Sequence, residues 1–196
     1  MSTNLKSFQK IDMIIKIDEN IKLEITSEKY AAPLFNVIDN NREHLSEFLS
    51  WVENMKSVED LRNYLQNCEH LYKEKKEVSF ITLLNENPVG RIGLHHLNLQ
   101  NKIGAIGYWL DKNEEGKGII TKSCIQLINY GFQKMGLNRI EIKASVRNIK
   151  SQAIPVKLNF KKEGVLRQAE LVNNQFIDLF IYSILKDEWI MKTTNH

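Results

Sequence analysis

The stretch that most constrains this chain is residues 104–121, where an apolar, β-prone run (residues 105–110) meets a polar turn, then two glycines flanking Lys117, and a helical pattern begins at once. The order is strand, tight loop, helix N-terminus. The first N–H groups of a helix lack intrahelical acceptors and the macrodipole is positive there. A turn without Cβ atoms at Gly116 and Gly118 therefore lets an anion approach bare amides. The expectation is a phosphate group on this turn; the plainer alternative is a glycine-rich connection that binds nothing. Neither common nucleotide loop is met: there is no Gly, four residues, then Gly-Lys-Ser/Thr, and Thr121 stands where a dinucleotide fingerprint needs a third small residue.

The rest of the chain sets the frame around this turn. With 196 residues and 42% hydrophobic content it can build one substantial core, so residues 1–196 read as a single domain, with residues 1–10 a polar, flexible lead. The net charge of +3 is small, and the densest basic group, Lys73, Lys75 and Lys76, reads as a solvated helix end, so nucleic acid is not the expected partner. No segment has the apolar length to span a bilayer and the N-terminus has no signal-peptide core, so no membrane association and a cytoplasmic location are expected. Cys68 and Cys124 sit on apolar helical stripes and read as small hydrophobes, not as nucleophiles, a disulfide or metal ligands.

Along the chain, residues 11–17 and 21–25 read as an opening hairpin, and residues 28–51 as two short helices with Pro33 in the first turn of the earlier one. Ser57 caps a helix from 58 to about 76. A three-stranded meander follows (78–84, 89–97 and a strand ending at Asp111) and leads into the glycine loop. The helix beyond runs to about Met135 and stops at Gly136. Residues 139–146 form a strand, so strand, helix and strand make a βαβ unit. Asn148 is a natural N-cap for a helix ending near Leu158, and two strands, 160–167 and 176–185, close the chain around a polar, mobile-looking segment, 168–175.

Two motifs then fall into place together. Asn113-Glu114-Glu115-Gly116-Lys117-Gly118 matches an Arg/Gln-x-x-Gly-x-Gly/Ala loop, and Asn148-Ile149-Lys150-Ser151 with Lys157-Leu158-Asn159-Phe160 matches a helix motif about thirty residues on. On these the chain resembles the GNAT superfamily of N-acetyltransferases. Through Ala153-Ile154-Pro155, Glu163-Gly164 and Arg167-Gln168-Ala169-Glu170 it is most similar to the RimJ and RimL branch, which acetylates N-termini of ribosomal proteins.

The resemblance implies an α/β fold with a mixed, mostly antiparallel twisted sheet flanked by helices and split at the acyl-CoA site. It implies acetyl transfer from acetyl-CoA to a primary amine; because neither cysteine reads as exposed, no covalent enzyme intermediate is expected, and because His95 and His96 have no Cys or third His in pattern, no metal is expected. The acceptor would be a protein N-terminus; the alternatives are a small amine such as a polyamine or an aminoglycoside, or a non-catalytic acyl-CoA-binding module. Relatives are often dimers, so a homodimer is a further implication. Acetyl-CoA would contact Asn113, Glu114, Glu115, Gly116, Lys117, Gly118 and Ile119 through its pyrophosphate, and the backbone of Tyr108, Trp109 and Leu110 through its pantetheine arm, with Asn148 and Ser151 opposite. Two departures matter: Asn113 is shorter than the Arg or Gln that opens the loop, and the helix-borne tyrosine that protonates the thiolate in many members falls at Pro155. In the RimL-like branch Ser151 matches the proposed acid and Glu170 the proposed base. Each has a plainer reading, as an early-helix hydroxyl that only touches the donor and as a solvated loop carboxylate. His95 and His96 point to opposite strand faces, so one of them could hold a water near the amine in place of Glu170. Trp51 and Trp109 either border the acceptor groove or pack in the core.

Overall fold

The computed structural model describes residues 13–194, so the expected flexible lead at 1–10 lies outside the described residues. Eight strands form one sheet in the order β1-β2-β3-β4-β5-β6-β8-β7. β1 (Ile14–Lys16) and β2 (Ile21–Ile25) are the expected hairpin, closed by Asp18, whose Oδ1 accepts the N–H groups of Asn20 and Ile21. β3 (Val78–Leu84), β4 (Asn87–Asn98) and β5 (Ile103–Leu110) are the meander, and β6 (Arg139–Ser145) lies parallel to β5 across the helix that joins them. All other neighbouring strands are antiparallel.

Helices cover both faces. α4 (Ile119–Gln133) packs Cys124, Leu127, Ile128 and Phe132 onto Ile92, Leu94, Ile106 and Ile140, forming the larger core. On the other face α1 (Ala31–Asn40), α2 (Arg42–Ser46) and α3 (Val58–Lys73) bury Leu34, Ile38, Leu45, Leu61 and Leu65 against Ile81 and Leu83. Ser57 caps α3, its Oγ accepting the Asp60 N–H at 3.1 Å. Cys68 is buried as expected, but it also accepts a hydrogen bond from Arg91 at 2.9 Å. Arg91 is itself only 6% exposed and bonds to Glu77 and Ser79 as well. Burial alone would raise the Glu77 carboxyl, but the His95 hydrogen bond and the charges of His95 and Arg91 hold it at about 2. That network pins α3 to the sheet. Among the described residues no helix is long and apolar enough to cross a membrane.

The structure corrects the end of the chain in two places. The segment expected to be polar and mobile is instead the body of a hairpin: β7 (Lys161–Val172) and β8 (Gln175–Leu185) meet at Asn173-Asn174, both with positive φ (50° and 59°). Asparagine tolerates the left-handed region better than most residues, and two such residues in a row make the primed turn whose twist suits a tight hairpin. After β8 the chain continues as α6 (Lys186–Thr194), where Trp189 is buried and its Nε1 donates to Asn129 Oδ1 at 2.7 Å. The short helix around Trp189 lacked the apolar periodicity that would have announced it.

Candidate active site

The parallel pairing of β5 and β6 ends at Ile106 and Ile142, yet β5 goes on pairing with β4 to Leu110 and β6 with β8 to Ser145. The sheet is therefore split: Tyr108, Trp109 and Leu110 lie on an arm of β5 with no strand on its β6 side. A chain-like ligand with amides of its own can complete that edge.

At the head of the split lies the glycine turn. Asp111 Oδ1 accepts the Asn113 N–H at 2.9 Å, and Glu114 and Glu115 donate theirs to the carbonyls of Asp111 and Lys112. Those three amides are spent on a 3₁₀ turn, Lys112–Glu114. This narrows the expectation that the pyrophosphate rests on amides from Asn113 onward: the donors left without an acceptor among the described residues lie at 116–121. Gly116 and Gly118 have φ of 76° and 78°, and a Cβ at either would meet nothing within 4 Å. α3 and α5 (Ile149–Lys157) both have side-chain caps, but α4 has none. Its N-terminus is open to an anion, and the residues present fit the phosphates of a nucleotide-bearing donor. Ile119, the first helical residue, is buried in the core and contributes backbone only.

The loop side chains are engaged with one another. Glu114 pairs with Lys117 at 2.8 Å. Glu115 receives His44 Nε2 from α2 at 2.7 Å and Lys150 Nζ from α5 at 2.5 Å. Burial would raise the Glu115 carboxyl, but the bonds from Lys150 and His44 outweigh it and hold it below the usual range. Glu115 thus ties the donor loop to the helices on either side. Asn41, 6% exposed, adds a second tie, its Oδ1 accepting the Lys112 N–H at 3.0 Å.

Across the split, Asn148 Oδ1 accepts the Ser151 N–H at 2.9 Å and sets the first turn of α5. Ser151 Oγ lies 3.3 Å from the Tyr108 hydroxyl, which donates to the Ser151 carbonyl at 2.9 Å. Trp109 points to the opposite sheet face, beside Trp51, with ring centroids 6.0 Å apart and both rings partly buried against the α1–α3 core.

Glu170 sits on β7, not in a loop. Between the pairs Leu166–Leu179 and Glu170–Ile177 three residues of β7 stand beside one of β8, Asp178, and this bulge sets Glu170 directly opposite Ile177. Opposed residues of an antiparallel pair share a face, so the Glu170 carboxyl joins the side occupied by Leu166, Val172, Ile177 and Leu179. It has no hydrogen-bond or ion-pair partner among the described residues, and burial raises its pKa. Beside it a cleft of about 280 Å³ opens between the β6–α5 turn and the bulge, lined by Arg147, Gln168, Phe176 and Asp178. The hairpin tip closes back over α2, where Asn173 Nδ2 donates to the Ser46 carbonyl at 3.0 Å.

His95 is committed to Glu77 through Nδ1 at 3.0 Å, and His96 is exposed at a bulge with φ of 51°. Sequence reasoning missed His44, Lys150 and Asn41 because their meaning lies in contacts between distant segments. The Asn173-Asn174 turn did have a signal, two asparagines between β-prone runs.

A sheet split between two parallel strands, with an uncapped helix N-terminus at the head of the split, is the architecture of a class of acyltransferases. The chain belongs to the GNAT acetyltransferase family, whose domain model matches residues 21–161. It is 37% identical over 175 residues to the putative ribosomal N-acetyltransferase YdaF of Bacillus subtilis, covering 89% of this chain and 96% of that protein. The ribosomal-protein-serine acetyltransferase of Escherichia coli is 31% identical over 173 residues, 88% of this chain and 97% of its own. Among solved structures, the RimL ribosomal-protein α-N-acetyltransferase in complex with coenzyme A superposes with a TM-score of 0.86 at 26% identity, covering 90% of this chain and 99% of that one.

Proposed function

We propose that this acetyltransferase uses acetyl-CoA to acetylate the N-terminal α-amino group of a ribosomal protein in the cytoplasm, with Glu170 as general base and Ser151 serving the departing thiolate. Acetyl-CoA supplies the acetyl group as a thioester. The amides at 116–121, the glycine turn and the free edge of Tyr108, Trp109 and Leu110 hold it along the split. Asn113 and Glu114 shape the turn, and Glu115 braces it.

The observation that carries the reading is the Glu170 carboxylate, set on an apolar face without a partner among the described residues and raised in pKa by burial. An α-amino group has a pKa of about 8, so roughly a tenth is neutral at pH 7, and a base need add only about 10²- to 10⁴-fold. A carboxylate on an apolar hairpin face attracts the ammonium and then takes its proton. A lysine side chain, with a pKa of about 10.4, demands more. Both curated relatives described above are named for ribosomal acetylation, which supports a protein acceptor.

The test is a panel of serine-, alanine- and methionine-initiated peptides, lysine peptides and polyamines with labelled acetyl-CoA, read by mass. Gain of one labelled acetyl group in place of a hydrogen on a peptide α-amine is expected. Transfer confined to polyamines or lysine side chains would overturn the acceptor assignment, and binding without transfer to any amine would reject catalysis.

A further inference from the structure

The hydroxyl of Tyr108 is a part-buried polar group to which the mechanism above gives no task. Tyr108 lies on the unpaired arm of β5, and its ring packs against the larger core. Its side chain crosses the split to the first turn of α5, donating to the Ser151 carbonyl at 2.9 Å and leaving its oxygen 3.3 Å from Ser151 Oγ. Burial, with the nearby Cys124 thiol adding to it, pushes the phenol far above the ordinary tyrosine range. The group therefore stays neutral and is a poor acid, but it is a fixed one. A serine in the first turn of a helix would otherwise sample several staggered positions with a freely turning hydroxyl. Here Asn148 holds the backbone of Ser151 and Tyr108 faces its side chain. Tyr108 thus brings a phenol to the first turn of α5 from the opposite wall of the split.

We infer that Tyr108 is a positioning residue for acetyl transfer: its hydroxyl anchors the first turn of α5 and fixes Ser151 Oγ at the split. The inference rests on the reading that Ser151 serves the thiolate. In that step the amine nitrogen bonds to the acetyl carbon, the carbon–sulfur bond breaks with its electron pair on sulfur, and Ser151 Oγ–H gives the sulfur its proton. Ser151 recovers a proton from solvent, and Glu170 returns to solvent the one it took from the amine. Tyr108 exchanges none; it leaves Ser151 only a rotation of its O–H to make.

The experiment compares Tyr108→Phe, Ser151→Ala and the double variant in the full chain, with acetyl-CoA and whichever panel amine the wild type acetylates. Tyr108→Phe should lower kcat about 10-fold, the scale of a displaced catalytic group, with KM and Kd for acetyl-CoA unchanged. The double variant should be no slower than Ser151→Ala. Full kcat in Tyr108→Phe, or losses that multiply in the double variant, would overturn the inference. A lowered Tm with kcat retained would make the phenol structural and overturn it equally. If Ser151→Ala keeps full kcat, the reading of Ser151 fails first and the inference falls with it. One readout needs no acceptor: in a crystal structure of Tyr108→Phe, Ser151 Oγ should leave its position, and an unmoved Oγ refutes the anchor.

Discussion

Glu115 on the donor loop and Glu170 on the β7–β8 hairpin are the same residue type under opposite physics. Glu115 is paired on both sides, by His44 and Lys150, and its carboxyl is held below the usual range. Glu170 is pressed against an apolar face with no partner among the described residues, and its carboxyl is raised. The first carboxylate is spent on architecture. The second is held at a cost in stability, which is the state the proposed base requires. The donor side is built from backbone geometry braced by ion pairs, whereas the hairpin side presents one unspent side chain.

The sharpest way to break this contrast is Glu170→Gln, which should lower kcat by about 10²- to 10⁴-fold, the usual worth of a positioned base, while acetyl-CoA affinity is kept. In the wild type the base works only when ionised, so the rate should rise with pH through the raised pKa of Glu170. The variant should lose that limb and keep only the dependence set by the amine. The stability effect has the opposite sign. A carboxyl whose folded pKa is raised disfavours the fold when ionised, and this is relieved as pH falls through that pKa. At neutral pH Glu170→Gln should therefore melt higher than the wild type, which calorimetry reads directly. A variant that is slower and also less stable would mean that Glu170 has a structural partner.

The second test addresses the donor side. At Gly118, with φ of 78° and open space around it, a side chain is both strained and in the path of an anion. Gly118→Val should raise KM and Kd for acetyl-CoA by about 10- to 100-fold, from a lost anion site together with the cost of a β-branched residue at positive φ. Titration calorimetry with coenzyme A checks this without an acceptor. Unchanged affinity would move the phosphates off this turn.

What was legible in the sequence follows the same division. The donor side is written in local chemistry: Gly116 and Gly118 before an apolar helix, Asn148 three residues ahead of Ser151, and β-prone runs separated by turn residues all act within one turn of the chain. The split was expected only through the family resemblance, since no local pattern shows where the pairing of β5 with β6 stops. The hairpin was misjudged because Gln168, at φ of 50°, and the bulge after Leu166 break the alternation that marks a strand. Polar residues on its exposed face then read as a loop. The ties through His44, Lys150 and Asn173 join segments dozens of residues apart, and no pattern in one segment points to the other.

Smaller effects sharpen the comparison. Glu115→Gln removes the ion pair to Lys150, which is largely exposed and worth at most about 1 kcal/mol, and leaves His44 a neutral acceptor. KM for acetyl-CoA should rise only about two- to fivefold. The carboxyl is depressed in the fold, so its contribution to stability is present above its unfolded pKa and is lost as pH falls through the folded one. The melting difference between wild type and variant should therefore be present at pH 7 and close in acid. That is the reverse of Glu170→Gln, where the difference also closes in acid but the variant is the more stable partner at pH 7.

The smallest effect concerns the strap between hairpin and α2. Asn173→Ala would confuse two losses, the hydrogen bond to Ser46 and the residue's tolerance of φ at 50°. Asn173→Gly keeps the turn and removes only the bond. An exposed neutral hydrogen bond is worth about 0.5 kcal/mol at the low end, so KM for a peptide acceptor should rise about twofold. KM for acetyl-CoA and kcat should not move. A change confined to the acceptor term assigns the hairpin tip and α2 to acceptor binding. An equal change in the donor term would show that the two sides are mechanically joined through α2, where His44 reaches Glu115 from the same short helix that Asn173 contacts.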